Sequence, residues 1–419
     1  MDLPQPPGRA ASVLPQMVFS STIKPSDLST STVIEPDPSD QIDCGRTELT
    51  ALPDVVFSKL TLPDGRAKLL KMDVLSPASP ARRPLVVYLT GGGFMNAPKE
   101  SSLNLRTFVA EAGFVVASIQ YRTVPDGGIY ADSIADVKSA IRYLRAHSEE
   151  YGIDSAHVGL WGQSAGGYLG AMAGLTGNGK AFDEGDDLDQ SSRVQAVVDQ
   201  YGPSDMSRIA ADLDDNAQRA QTSPGNPLLR FIEGASGRPP LTDSPIASGP
   251  ANPISYVGQA NLPFLFLHGD QDGLVSPSQT LILHETLRAA NVSSTRYVLH
   301  DAGHGNLVVG SDPQSSSLWS TNETMGIIVS FLQRALRRHG RSLLVLPVLG
   351  SRWRGDLETH LPHNAAARES PGSVGISCED IFEVTHAYLS RLRFCDEFIC
   401  LLNRGCMKPA IVLCTQFQI

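Results

Sequence analysis

Twelve residues constrain this chain more than any others: His157-Val158-Gly159-Leu160-Trp161-Gly162-Gln163-Ser164-Ala165-Gly166-Gly167-Tyr168. A short apolar run turns sharply into a small-residue stretch, Leu169 to Leu175, that reads as a helix. Gly162-x-Ser164-x-Gly166 is the spacing of a strand–turn–helix whose serine sits at a cramped backbone position with its hydroxyl pushed outward. Glycines two residues to either side let strand and helix approach without Cβ clashes. The N-terminus of that helix then points to where negative charge would develop. Alone, the pattern is weak, because Gly/Ser-rich loops produce it by chance. Its weight depends on what else the chain supplies.

The flanking sequence alternates strand-like and helix-like segments. Val55–Leu60 and Lys68–Leu75 flank the turn Leu62-Pro63-Asp64-Gly65-Arg66 and predict an antiparallel hairpin. Pro84 to Thr90 is nearly continuous apolar sequence, as in a strand buried on both faces, and runs into Gly91-Gly92-Gly93-Phe94. A helix over Ser102–Ala112 and a strand over Phe114–Ile119 follow. Ile134, Val137, Ile141 and Leu144 recur at helical spacing within Ser133–Glu150. Strands are then expected at Val158–Trp161, Val194–Asp199, Pro263–Leu267 and Thr295–Leu299, with helices at Ser278–Ala290 and Thr324–Arg338. Such alternation predicts an α/β fold: a doubly wound, mostly parallel sheet with helices on both faces. Residues 203–253 break the rhythm, with one short helix expected at Pro227–Glu233; they read as a small lid insertion over the carboxyl edge of the sheet.

This assigns residues 53–339 to one domain, an ordinary size for α/β architecture. Residues 1–52, rich in Pro, Ser, Thr and Asp, read as a mobile or loosely docked extension, within which Phe19–Ile34 is a candidate cap for an active site. From residue 340 the α/β rhythm is lost. Three readings of the tail 340–419 stay open: disorder, a small appended element, or sequence outside the functional protein.

Composition excludes some functions. An apolar fraction of 41% suits a large core, and a net charge of −10 argues against a nucleic-acid partner. No run of about 18 apolar residues predicts a transmembrane segment. The start, Met1-Asp2-Leu3-Pro4-Gln5-Pro6-Pro7, lacks a basic region and an apolar core, so a cytoplasmic location is expected. The sequons at Asn291 and Asn322 are then expected to carry no glycan. Cys44 is the only cysteine before Cys378, so the main body needs no disulfides. In the tail, Cys395, Cys400, Cys406 and Cys414, with His386 nearby, match no common zinc spacing and read as free thiols. No cofactor or metal is expected, and the oligomeric state is left open.

A serine alcohol near neutral pH needs a base, a carboxylate to orient that base, and donors for the oxyanion. His304, between Gly303 and Gly305 just after the last strand, is the base candidate. Two carboxylates compete in His268-Gly269-Asp270-Gln271-Asp272-Gly273, which follows another strand; Asp272 is preferred, Asp270 reading better as a turn residue. Asp301 lies too near the base in sequence and reads as a loop cap. The Gly91-Gly92-Gly93 loop can turn amides toward one atom, and the amide of Ala165 would join those of Gly92 and Gly93. A dinucleotide site is disfavoured: no G-x-G-x-x-G follows the strand, and no acidic residue closes the next one.

With these motifs in place, residues 53 to about 338 resemble the α/β-hydrolase fold, and within it the esterase/lipase group with hormone-sensitive-lipase-like and bacterial feruloyl-esterase-like branches. The resemblance rests on Thr90-Gly91-Gly92-Gly93-Phe94, Tyr121-Arg122, the Asp136–Arg145 helix, Gly152-Ile153-Asp154, Gly162-Gln163-Ser164-Ala165-Gly166-Gly167, His268-Gly269-x-x-Asp272-x-x-Val275 and Gly303-His304-Gly305. The last two are also similar to prolyl-oligopeptidase-like catalytic domains, whose H-G-x-x-D aspartate is the triad acid, which implies Asp272. The resemblance further implies structural roles for Tyr121, Arg122 and Asp136. It departs from the family at Thr90, where a histidine is usual.

The implied activity is cleavage of a small-molecule carboxylic ester by Ser164, Asp272 and His304 through an acyl-enzyme. An amidase or arylformamidase uses the same triad. A prolyl-oligopeptidase-like peptidase would need a propeller that residues 1–52 are too short to form. A non-catalytic binder on a hydrolase scaffold is the reading from another class.

Overall fold

The computed structural model describes residues 18–223, 226–234, 240–305 and 314–336. Expectations for the tail, its cysteines and His386 included, and for the last residues of the closing helix lie outside them. In chain order the strands are β1 (Thr32–Ile34), β2 (Leu49–Thr61), β3 (Ala67–Pro77), β4 (Arg83–Leu89), β5 (Val115–Ile119), β6 (Ile153–Gln163), β7 (Ala196–Gln200), β8 (Phe264–Gly269) and β9 (Ser294–Leu299). The helices are α1 (Leu103–Glu111), α2 (Tyr130–Ala146), α3 (Ala165–Thr176), α4 (Asp215–Thr222), α5 (Pro227–Glu233), α6 (Ser278–Ala289), the single turn α7 (Gln314–Ser317) and α8 (Asn322–Ala335).

The strands form one sheet in the order β1-β9-β8-β7-β6-β4-β5-β3-β2. Only β3 runs against the others: it is antiparallel to β2 and β5, and the remaining pairs are parallel. The continuous apolar sequence of β4 follows from burial on both faces. Leu85, Val87 and Leu89 pack with α2 and α3 on one side, while Val86 and Tyr88 pack with α1 and α8 on the other. Chain order reverses around β6, which lies between β7 and β4, and the carboxyl ends there frame the crevice where open α/β sheets bind ligands.

Helix α2 begins three residues before the expected start at Ser133, because Asp132 accepts the Ile129 N–H at 2.9 Å and caps the first turn. The insertion holds α5 as expected and also α4, which the sequence did not mark. Asp214 caps α4 by accepting the Asn216 and Ala217 N–H groups. Ala217 is the buried residue of this short polar helix, so it has little apolar periodicity to read.

The N-terminal segment departs from expectation. From Val18 onward it is bonded into the fold rather than loosely attached. β1 pairs with β9, Gln41 bridges Thr321 and Ile23 bridges Leu213. Ser20 N–H donates to Gly273 O at 2.8 Å, and Ser21 N–H to Asp214 Oδ2 at 2.7 Å. A three-residue strand, a few scattered apolar contacts and single polar bonds hold this segment in place, which is why its sequence shows no period.

Candidate active site

Strand β6 delivers Ser164 at its carboxyl end and α3 begins with the next residue. Ser164 has φ 54° and ψ −120°, a conformation that typically costs about 1–3 kcal/mol in a non-glycine residue. The surrounding structure holds it there: Ser164 N–H donates to Gln200 O at 2.8 Å, tying the turn to β7. The flanking glycines answer to close approach. A Cβ at Gly162 would overlap the carbonyl of Gly166, and one at Gly166 would overlap the carbonyl of Leu89.

Three loops at the same sheet edge converge on this serine. His304 Nε2 lies 2.8 Å from Ser164 Oγ, and His304 Nδ1 lies 2.7 Å from Asp272 Oδ2. A carboxylate only accepts, so Nδ1 carries the proton and Nε2 is left to accept from the serine hydroxyl. His304 and Asp272 are both buried. Asp272 Oδ1 accepts the Leu274 and Val275 N–H groups at 2.9 Å each. Burial alone would push this carboxyl up; the facing His304 and the hydrogen bonds from His268 and His304 outweigh it and hold Asp272 well below the usual carboxylate range.

Asp270 points elsewhere. It accepts from His300 Nδ1 at 2.7 Å and from Asp301 N–H at 2.8 Å, stitching the loop after β8 to the loop after β9. Asp301 closes that loop through its backbone N–H, and its carboxylate lies 3.7 Å from His300 Nε2. Among the described residues Asp270, His300 and Asp301 form the one group of three or more whose potential metal-ligand atoms all lie within 4.8 Å of one another; all three are exposed or half-exposed.

The glycine loop after β4 lies against the serine. A Cβ added at Gly91 would sit 3.1 Å from Ser164 Cβ. Gly92 and Gly93 have φ of 149° and 58°, and a Cβ at Gly92 would overlap Asn96. Thr90, where the resemblance led to a histidine, has its carbonyl held by Tyr121 Oη at 2.9 Å. Arg122 pairs with Asp132 and Asp136. Tyr121 thus braces the loop from behind, while Arg122 ties this stretch to α2.

Gly92, Gly93, Ala165, Ser164 and His304 all face one cavity of about 710 Å³. The insertion supplies part of its wall through Ile209, Gln221 and Leu228, and Val18 of the N-terminal segment joins it. The described lining contains no lysine, arginine, aspartate or glutamate.

Two neighbours of the site carried little sequence signal. Tyr201, just past β7, sets its ring edge-on to His304 with centroids 4.8 Å apart. Asp199, the fourth residue of β7, is buried beneath the serine turn with Oδ1 accepting the Gly202 N–H at 2.8 Å and Oδ2 unpartnered. Burial pushes its carboxyl up to about 7 against that single hydrogen bond. Both residues lie at a strand's carboxyl end, the only hint available.

Comparison with known proteins agrees with this architecture. The chain is 30% identical over 245 residues to esterase LipQ of Mycobacterium tuberculosis, covering 58% of this chain and 55% of that one. It is 30% identical over 231 residues to esterase LipC of the same organism, covering 55% and 54%. The chain thus spans about half the length of these curated relatives. A solved structure described as a truncated form of carbohydrate esterase from gut microbiota superposes with a TM-score of 0.57 at 23% identity, covering 73% of this chain and 100% of that one. No helix among the described residues is long and apolar enough to cross a membrane. Residues 72–287 match the family described as BD-FAE, so the chain, with its mostly parallel sheet and serine turn, belongs to the BD-FAE family of α/β-hydrolase proteins.

Proposed function

We propose that this protein is a serine hydrolase that cleaves a carboxylic ester of a small, uncharged molecule. The observation that carries the reading is the unbroken hydrogen-bonded line Ser164–His304–Asp272, 2.8 Å and 2.7 Å between successive partners, opening into an apolar cavity. The esterase relatives support it.

In this reading Ser164 Oγ attacks the acyl carbon while His304 Nε2 takes its proton. Asp272 holds the imidazole tautomer and stabilises the imidazolium. The N–H groups of Gly92, Gly93 and Ala165 stabilise the tetrahedral oxyanion. His304 then protonates the leaving alcohol, and the acyl group stays on Ser164. Water, deprotonated by the same histidine, releases the carboxylic acid and restores the serine. Every proton and electron pair in these steps comes from the chain, the ester and water.

The test is fluorophosphonate labelling and p-nitrophenyl butyrate turnover for wild type, Ser164→Ala and His304→Ala. Labelling at Ser164 with turnover in the wild type, and neither in the variants, is expected. A folded wild type that neither labels nor turns over would replace this reading with a non-catalytic binder on the same scaffold.

A further inference from the structure

Asp272 does not serve His304 alone. A second histidine, His268 at the end of β8, places Nε2 3.1 Å from Asp272 Oδ2, the oxygen that His304 Nδ1 also reaches. Val275 O lies 3.2 Å from the same nitrogen. Both neighbours only accept, so Nε2 carries a proton. On the other side, His268 Nδ1 lies 2.9 Å from Thr280 Oγ1 on α6. That hydroxyl already accepts from Arg296 Nε at 3.0 Å, so its own proton points to His268 Nδ1. The tautomer is therefore set from both ends: neutral imidazole, with its proton on Nε2.

Arg296, on β9, closes the line. It is 1% exposed, and its remaining nitrogens donate to Ser31 Oγ at 2.7 Å and to Pro277 O at 2.8 Å. Among the described residues no carboxylate lies within ion-pair distance of it. A buried cation is thus joined to the buried carboxylate by two oriented dipoles, Thr280 and His268. Uncompensated charge in a protein interior is costly, and a directed hydrogen-bond chain between opposite charges reduces that cost.

We propose that His268, fixed in its tautomer by Thr280 and Arg296, is a positioning residue that locks the Asp272 oxygen facing His304. The inference rests on the Ser164–His304–Asp272 reading above. Asp272 then receives four donors: the Leu274 and Val275 amides on Oδ1, and His304 and His268 on Oδ2. A carboxylate with all four lone-pair sites occupied cannot swing away when His304 turns to hand its proton to the leaving group. The groups facing His268 are Asp272 on its own loop, His304 from the loop after β9, Thr280 from α6 and Arg296 from β9. Burial and the nearby Arg296 and His304 charges oppose its protonation more than Asp272 favours it, so His268 is held neutral.

The test uses the full chain. In His268→Phe the ring volume is kept and the donor lost. The expected result is a fall in kcat of roughly tenfold with KM nearly unchanged, the size of losing one hydrogen bond to a charged group. The pH profile of kcat/KM changes as well, because the carboxylate that faces His304 has lost one of its four donors. His268→Gln, whose amide can reach the Nε2 position, restores much of the rate, and Thr280→Val reproduces part of the loss. Wild-type protein labelled with ¹⁵N-histidine should show His268 neutral and protonated on Nε2; this reading needs no variant to fold. Wild-type kcat and pH profile in a folded His268→Phe, no rescue by Gln, or an Nδ1-protonated His268 would each overturn the proposal. If instead the wild type fails to label at Ser164, the triad reading fails, and the ¹⁵N spectrum still decides whether His268 donates to Asp272.

Discussion

Asp272 Oδ2 lies 2.7 Å from His304 Nδ1, whereas Asp270, two residues earlier in the same turn, spends its carboxylate on His300 and the Asp301 amide. The two acids therefore separate by substitution. Asp272→Asn presents an amide that can donate and so favours the wrong imidazole tautomer; kcat should fall by roughly 10³–10⁴, as tautomer errors do in such triads. Asp270→Asn loosens the stitch between two loops and should lower kcat by less than about tenfold, with a reduced melting temperature. Steady-state kinetics on p-nitrophenyl butyrate with parallel thermal melts check both. Equal losses in the two variants would remove the distinction.

The glycine loop gives a second prediction. At Gly92, φ is 149° and a Cβ would overlap the side chain and carbonyl of Asn96. Gly92→Ala must move the loop, displacing the amides proposed to hold the oxyanion. A loss of roughly 10²-fold in kcat is expected, comparable to deleting one oxyanion donor. Fluorophosphonate labelling should slow in step, while the fold, anchored by β4 and Tyr121, persists by circular dichroism. Unchanged kcat would place the donors elsewhere.

These residues also show what a sequence can carry. Strand β4 was legible because burial on both faces demands unbroken apolar residues, and Ser164 because its turn demands two glycines. His304 and Asp272 followed from their places after successive strands. The N-terminal segment was not legible. Its strand β1 is three residues long with only Ile34 buried, and it is held by single bonds such as Ser31 to Arg296. Arg296 was legible only as part of a strand; nothing local marked its guanidinium as buried against α6. His268 stood in a quoted motif, but nothing in its neighbours revealed that its Nε2 meets the same carboxylate oxygen as His304. Pairings between distant segments leave no local period to read.

Asp199 supplies a pH prediction. Its carboxyl is raised to about 7 by burial, above the unfolded value of 3.8. A group whose folded pKa is raised stabilises the fold below its unfolded pKa, and that contribution is lost as pH rises through the folded pKa. The wild type should therefore lose stability from about pH 4 to about pH 7 on account of Asp199. Asp199→Asn cannot ionise, so the variant should match the wild type at about pH 4 and below and melt about 2–5 °C higher at alkaline pH. Melting curves of the two proteins across pH decide it; an equal difference at every pH would show that Asp199 does not titrate in this range.

The cavity wall makes the last prediction. Leu228, on α5 of the insertion, is buried at the lining of the roughly 710 Å³ space that also holds Ser164. Phe231, one turn on, stacks on Phe94 with ring centroids 3.9 Å apart, and Phe94 follows directly on the glycine loop. Helix α5 is therefore braced against the loop, and bulk added at Leu228 is directed into the cavity rather than absorbed by movement of the helix. Leu228→Trp should leave turnover of p-nitrophenyl acetate within about twofold and cut kcat/KM for the octanoate by roughly tenfold or more, since each excluded methylene forfeits about 0.8 kcal/mol of burial. The ratio of the two esters is the readout, because a general loss of activity would lower both alike. An unchanged ratio would mean that the acyl chain leaves Ser164 along another wall, toward Val18 and Leu274.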